Sequence, residues 1–150
     1  MAILTTVATG VQVVFDCADP AKLADFWAIA LHYKLQDPPT GFDSWQAWLK
    51  AQGIPESEWN SANAVVDPDG VGPRIYFQRV PEGKVVKNRV HLDLNVGGGT
   101  SAPLEQRRQR VDAEVGRLAG VGARKVRALE ERGEYCVNML DPEGNEFDLQ

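Results

Sequence analysis

Val66-Asp67-Pro68-Asp69-Gly70 recurs in the second half of the chain as Leu140-Asp141-Pro142-Glu143-Gly144. Each is an Asp-Pro-acid-Gly turn. The aspartate side chain can accept from backbone N–H groups just ahead of it, proline presets φ, and glycine supplies the left-handed residue that closes the turn. Apolar residues precede each turn, and an alternating strand pattern follows within a few residues. At nearly the same offset, Val11-Gln12-Val13-Val14-Phe15-Asp16 is echoed by Val90-His91-Leu92-Asp93, both strand-like and both ending at an acid. Two landmarks sharing one period imply two copies of a single supersecondary unit.

A helix follows each of these strands. Asp19 is a good N-cap with Pro20 at the first helical position, and Leu23, Phe26, Trp27, Ala30 and Leu31 recur at helical spacing. In the second half Thr100 or Ser101 is the expected cap of a helix starting near Ala102, with Leu104, Val111, Val115 and Leu118 as its apolar stripe, closed by Gly120 and Gly122. Short strands are expected at residues 33–36, 63–66 and 74–80, and again at 125–129, 135–140 and 145–149. The order strand, helix, strand, strand, strand thus occurs twice. This predicts an α+β fold of paired βαβββ modules: module one over about residues 8–80 with an insertion at 37–62, a polar linker at 81–87, and module two over about 88–150.

Composition agrees with one globular domain. The chain has 150 residues, 43% hydrophobic and 25% charged, enough to bury one core. A net charge of −5 lacks the basic footprint that nucleic-acid or anionic-membrane binding needs. No apolar run approaches the roughly 20 residues of a membrane span, and Met1–Gly10 has neither a basic n-region nor an apolar h-region, so a cytoplasmic protein is expected. Cys17 and Cys136 lie far apart without a CxxC pair and read as packed thiols.

Side chains alternate across a strand, so parity sorts residues between faces. Val11, Val13 and Phe15 oppose Gln12, Val14 and Asp16; Ile75 and Phe77 oppose Tyr76 and Gln78; Val90, Leu92 and Leu94 oppose His91 and Asp93; Phe147 and Leu149 oppose Glu146 and Asp148. With helices on the apolar faces, the polar faces converge on Gln12, Gln78, His91 and Asp148. An alternative is a sheet that simply solvates its outer face, with His91 a hydrogen-bonded core residue. The insertion holds Trp45, Trp48 and Trp59, three of the four tryptophans. These rings either plug the outside of the sheet or form a lid over a flat or apolar ligand, and Tyr76 joins them as an expected substrate-binding residue.

The paired modules, the segment Asp19-Pro20-Ala21-Lys22-Leu23-Ala24-Asp25-Phe26-Trp27, the stretch Lys87-Asn88-Arg89-Val90-His91-Leu92-Asp93 and the terminal Asp141-Pro142-Glu143-Gly144-Asn145-Glu146-Phe147-Asp148 resemble the glyoxalase-like branch of the vicinal oxygen chelate superfamily. The resemblance covers nearly the whole chain. It implies two half-barrels around a cavity, with Gln12, Gln78, His91 and Asp148 at the four metal-ligand positions and His91 and Asp148 as the catalytic pair. It further implies one divalent ion (Ni, Zn, Mn or Fe), a small-molecule ligand and a homodimer. Two neutral amides make this a weak donor set, since hard-metal affinity follows ligand charge. Two functions therefore stand side by side: a metal-assisted lyase, isomerase or dioxygenase-type enzyme, and a non-catalytic binding protein resembling bleomycin-resistance relatives. His32 stands where such relatives usually have Gly, so the helix end there must tolerate a side chain.

Overall fold

The computed structural model describes residues 7–150; Met1–Thr6, part of the N-terminal segment read above, lie outside the described residues. The elements are β1 (Val13–Cys17), α1 (Pro20–Leu31), β2 (Lys34–Leu35), α2 (Trp45–Ala51), β3 (Ala62–Val66), β4 (Ile75–Arg79), β5 (Leu92–Leu94), α3 (Leu104–Ala119), β6 (Arg124–Glu131), β7 (Glu134–Leu140) and β8 (Glu146–Leu149). They form two four-stranded mixed sheets, ordered β1-β4-β3-β2 and β5-β8-β7-β6. In both, the first and last strands of the module run parallel and the other pairs antiparallel. The repeated order read from the turns is thus the observed topology, α+β with one βαβββ unit per module.

Helix α1 starts where its cap directs it. The Lys22 N–H donates to Asp19 Oδ1 at 3.2 Å, and Asn60 Nδ2 donates to the same oxygen at 2.9 Å. These bonds hold the Asp19 carboxyl below its usual range, Asn60 most strongly. At the other end His32 adopts φ 55° and ψ 34°, a left-handed cap whose neighbour Tyr33 donates to Ala28 O at 2.9 Å. A β-carbon costs about 1 kcal/mol in that region. His32→Gly is accordingly expected to stabilise the fold by up to about 1 kcal/mol, read as a rise in denaturant midpoint at unchanged m-value.

The core is shared between modules. Leu23, Ala24, Phe26, Trp27 and Ala30 are buried on one face of α1. Trp27 lies 5.0 Å from the Phe15 ring of sheet one and 5.2 Å from the Phe147 ring of sheet two. Each of the large apolar side chains among them contributes roughly 1.5–3 kcal/mol by burial. The second Asp-Pro-Glu-Gly turn adds a polar clamp. Buried Asp141 accepts from Trp27 Nε1 at 3.1 Å and from its own turn, at Glu143 N and Asn145 N, both 2.9 Å, and at Asn145 Nδ2, also 2.9 Å. Glu143 accepts from the N–H groups of Ala18 (2.6 Å) and Asp19 (3.1 Å), tying the start of α1 to module two. The first turn keeps to itself: Asp67 accepts from Asp69, Val71 and Gly72 N–H groups.

Several boundaries differ from expectation. Strand β1 begins at Val13 and β5 at Leu92, so Val11 and Val90 are not under the helices but 74% and 79% exposed. Neither Thr100 nor Ser101 caps α3. Pro103 occupies the cap position without a side-chain bond, because the chain first turns through Gly98 and Gly99 at φ 94° and 81°. Cys17 is buried and free, its thiol pushed up to about 12 chiefly by burial, whereas Cys136 is free but only partly buried.

Candidate functional site

Parity is borne out at the strand level: Val13, Phe15, Ile75, Phe77, Leu92, Leu94, Phe147 and Leu149 pack in or against the core, and Asp16, Gln78 and Asp93 are exposed. His91 immediately precedes β5 and is 41% exposed, which removes the core-histidine alternative. Its Nε2 lies 3.2 Å from Asp93 Oδ1 and 3.5 Å from Asp148 Oδ2. All three ligand atoms fall within 4.8 Å of one another. Asp93, on the polar face by parity but outside the expected set of four, is therefore a member of the group. The signal that could have found it is the His-x-Asp spacing, which puts both side chains on one face.

A row of cross-strand partners fixes this group. Asp93 pairs with Asp148, Asp148 with Asn138 and Asn138 with Arg127, across β5, β8, β7 and β6. Asn138 Nδ2 donates to Asp148 Oδ1 at 2.6 Å, leaving Oδ2 toward His91, and Arg127 Nε donates to Asn138 Oδ1 at 2.9 Å. Such outer partners orient a ligating carboxylate. Cys136 lies near enough for Asp148 and Asp93 to add to burial in pushing its thiol up, so it stays protonated.

Module one is not a copy of this arrangement. Phe15 pairs with Phe77 and Asp16 with Gln78, as Leu92 pairs with Phe147 and Asp93 with Asp148. Counting back one residue makes Val14, 48% exposed, the counterpart of His91. Gln12 is engaged elsewhere: its Oε1 accepts from Arg74 at 2.9 Å. Gln78 is exposed on β4 beside Asp16. Tyr76 lies on the same face, with the Arg74 guanidinium 5.1 Å above its ring.

Two of the three tryptophans of the insertion have local hydrogen-bond partners. Trp45 Nε1 donates to Gln36 O at 2.7 Å and Trp59 Nε1 to Ile54 O at 2.9 Å, while the Trp45 and Trp48 rings meet edge to face at 5.7 Å. No residue of α2 is fully buried. Between the modules an open apolar cleft of about 380 Å³ is lined by Val13, Ile75, Leu92 and Leu94, with His32 and Tyr33 at its α1 end.

The group fits a divalent ion by its chemistry. One imidazole nitrogen and two carboxylates suit Mn, Fe, Ni or Zn.

Paired βαβββ modules, each a four-stranded mixed sheet, define the vicinal oxygen chelate fold. The sequence pattern of the glyoxalase-like domain matches residues 12–150, and the chain belongs to that family. Three solved structures are similar in fold. A possible glyoxalase from Bacillus cereus is 14% identical with a TM-score of 0.58, over 95% of this chain and 99% of that one. A glyoxalase/bleomycin resistance protein/dioxygenase family enzyme from Burkholderia phytofirmans PsJN is 14% identical with a TM-score of 0.57, over 92% and 94%. A mutant of the fosfomycin resistance protein FosX from Listeria monocytogenes, complexed with Mn(II) and 1S,2S-dihydroxypropylphosphonic acid, is 10% identical with a TM-score of 0.60, over 97% and 92%. No curated protein matches the chain significantly. Among the described residues no helix is long and apolar enough to cross a membrane.

Proposed function

We propose that this chain binds a small oxygenated metabolite on the outer faces of its modules, assisted by one divalent cation held by His91, Asp93 and Asp148, as a lyase or isomerase. The observation that carries this reading is the convergence of one imidazole and two carboxylates within 4.8 Å, on a face where Asn138 and Arg127 already orient Asp148. Gln12 is assigned to Arg74 rather than to the ion, and Gln78 to the ligand. When bound, the ion supplies Lewis acidity toward a substrate oxygen. Asp93 and Asp148 are the groups in reach to take and return a proton, with His91 neutral in the cation-competent state.

Trp45, Trp48 and Trp59 are assigned to the lid, supported by the anchoring of Trp45 on Gln36, whose side chain also holds Arg74. A second reading, non-catalytic sequestration of an aromatic ligand, is favoured by the edge-to-face Trp45–Trp48 pair on a helix with no buried residue. A homodimer is supported by Val11, Val85, Val86 and Val90, each at least 74% exposed, and light scattering should return twice 16.5 kDa rather than 16.5 kDa. Two free cysteines support a reducing, cytoplasmic setting.

The test is elemental analysis of purified protein with thermal-shift titration by Mn²⁺, Ni²⁺, Zn²⁺ and Fe²⁺. One ion per chain and a saturable stabilisation are expected, about 2.7 kcal/mol at a hundredfold excess over Kd. No bound metal and no shift with any of the four would leave the sequestration reading.

A further inference from the structure

We propose that Arg74 is an oxyanion receptor, and that the small molecule bound by this chain carries a carboxylate or phosphonate. This rests on the reading that a ligand occupies the outer faces, and names its chemical class.

Arg74 immediately precedes β4, and parity with Tyr76 puts its side chain on the outer face. The guanidinium is held by three neutral neighbours. Its Nε donates to Gln36 Oε1 at 2.7 Å, one NH2 group (Nη1) donates to Gln12 Oε1 at 2.9 Å, and the group stacks 5.1 Å above the Tyr76 ring. Among the described residues no carboxylate pairs with it, as with Arg89, Arg110, Arg124 and Arg127, whereas Arg79, Arg107, Arg108, Arg117 and Arg132 each pair with a glutamate; Arg74 differs from the other four in being held by two glutamines and an aromatic ring. The six residues outside the described part carry no acid. A half-buried cation in a chain of net charge −5 is thus oriented by amides that leave its charge uncompensated.

The arrangement also explains a buried residue outside the core. Ala64 is 5% exposed, yet it pairs with Tyr76 on the outer face and is not part of the core cluster. Gln36 N donates to Ala64 O at 3.0 Å, so an Arg74 side chain running from β4 to Gln36 crosses over Ala64. Fixed in this way the guanidinium keeps three of its five N–H donors for a ligand, including both on Nη2, and the Gln12 and Gln36 amide N–H groups lie beside it. A planar fork with its orientation already fixed suits an oxyanion and loses little entropy on binding.

The test uses the full chain with EDTA present and, separately, with Mn²⁺. Titrations with benzoate and with phenylphosphonate are compared with neutral benzamide, following Trp fluorescence and heat. Wild type should bind at least one of the two anions and prefer it to benzamide; which anion binds tighter identifies the group. Arg74→Gln should weaken that binding by roughly tenfold or more, the worth of a charge-assisted contact. Gln36→Glu is the companion should Arg74→Gln fold poorly: it gives Arg74 an internal carboxylate and should abolish anion binding without lowering Tm. Equal binding of benzoate and benzamide, or unchanged anion affinity in Arg74→Gln or Gln36→Glu, overturns the proposal. Anion binding that persists in EDTA while no metal binds would fail the cation reading alone; metal binding without anion preference would fail this one alone.

Discussion

Asp141→Ala is expected to lower the unfolding free energy by about 3–5 kcal/mol, since each buried donor left without an acceptor costs about 1–3 kcal/mol. The carboxylate serves four N–H groups, and one of them, Trp27 Nε1, belongs to the other module's helix at a fully buried position. Trp27→Phe removes the donor together with its need and keeps a ring against Phe15 and Phe147, so it should cost clearly less. The pH profile distinguishes Asp141 from an ordinary surface acid. Burial pushes its carboxyl up, against the hydrogen bonds from Asn145, Trp27 and Glu143 that favour the charged form. Between the unfolded value near ~3.9 and that raised folded value the native state holds more protons than the unfolded chain, so stability falls as pH rises through this window. Urea melts from pH 3 to 7 on wild type and Asp141→Ala check both points: the variant should lack that slope.

Asp148→Asn is expected to reduce Mn²⁺ affinity by about a hundredfold or more, because it removes one of only two anions from a cation site whose strength follows ligand charge. Asn138→Ala should produce an intermediate loss, roughly ten- to a hundredfold, by freeing Asp148 Oδ1 from its 2.6 Å bond. Isothermal titration on the three proteins gives the ordering. If Asn138→Ala equals wild type, the row of partners from Arg127 to Asp93 does not orient the group.

Much of the architecture was legible because turns and alternation are local. The Asp-Pro-acid-Gly repeat announced two modules, Asp19-Pro20 located α1, and period-two parity put His91, Asp93 and Asp148 on one side. What was not legible depends on register and on contacts between distant segments. The repeated turn motif carries no sign that Asp141 reaches Trp27 while Asp67 serves only its own loop. Val14 as the counterpart of His91 follows from the pairing of β1 with β4 and of β5 with β8, which strand patterns do not specify. Arg74 is a single residue before a strand, and only the meeting of Gln12, Gln36 and Tyr76 around it distinguishes it from a surface arginine. The cap of α3 falls at Pro103, beyond Thr100 and Ser101, because the chain first turns through Gly98 and Gly99, a turn that helix-cap patterns do not specify.

Whether His91, Asp93 and Asp148 hold a divalent ion is tested by Mn²⁺ electron paramagnetic resonance on wild type and His91→Ala, with Tm measured on both. His91 is 41% exposed, so its loss should leave Tm nearly unchanged. One tightly bound Mn²⁺ per chain is expected in wild type and none in a folded His91→Ala; an equal stoichiometry in both proteins, or free Mn²⁺ only in wild type, would rule out a cation site at His91.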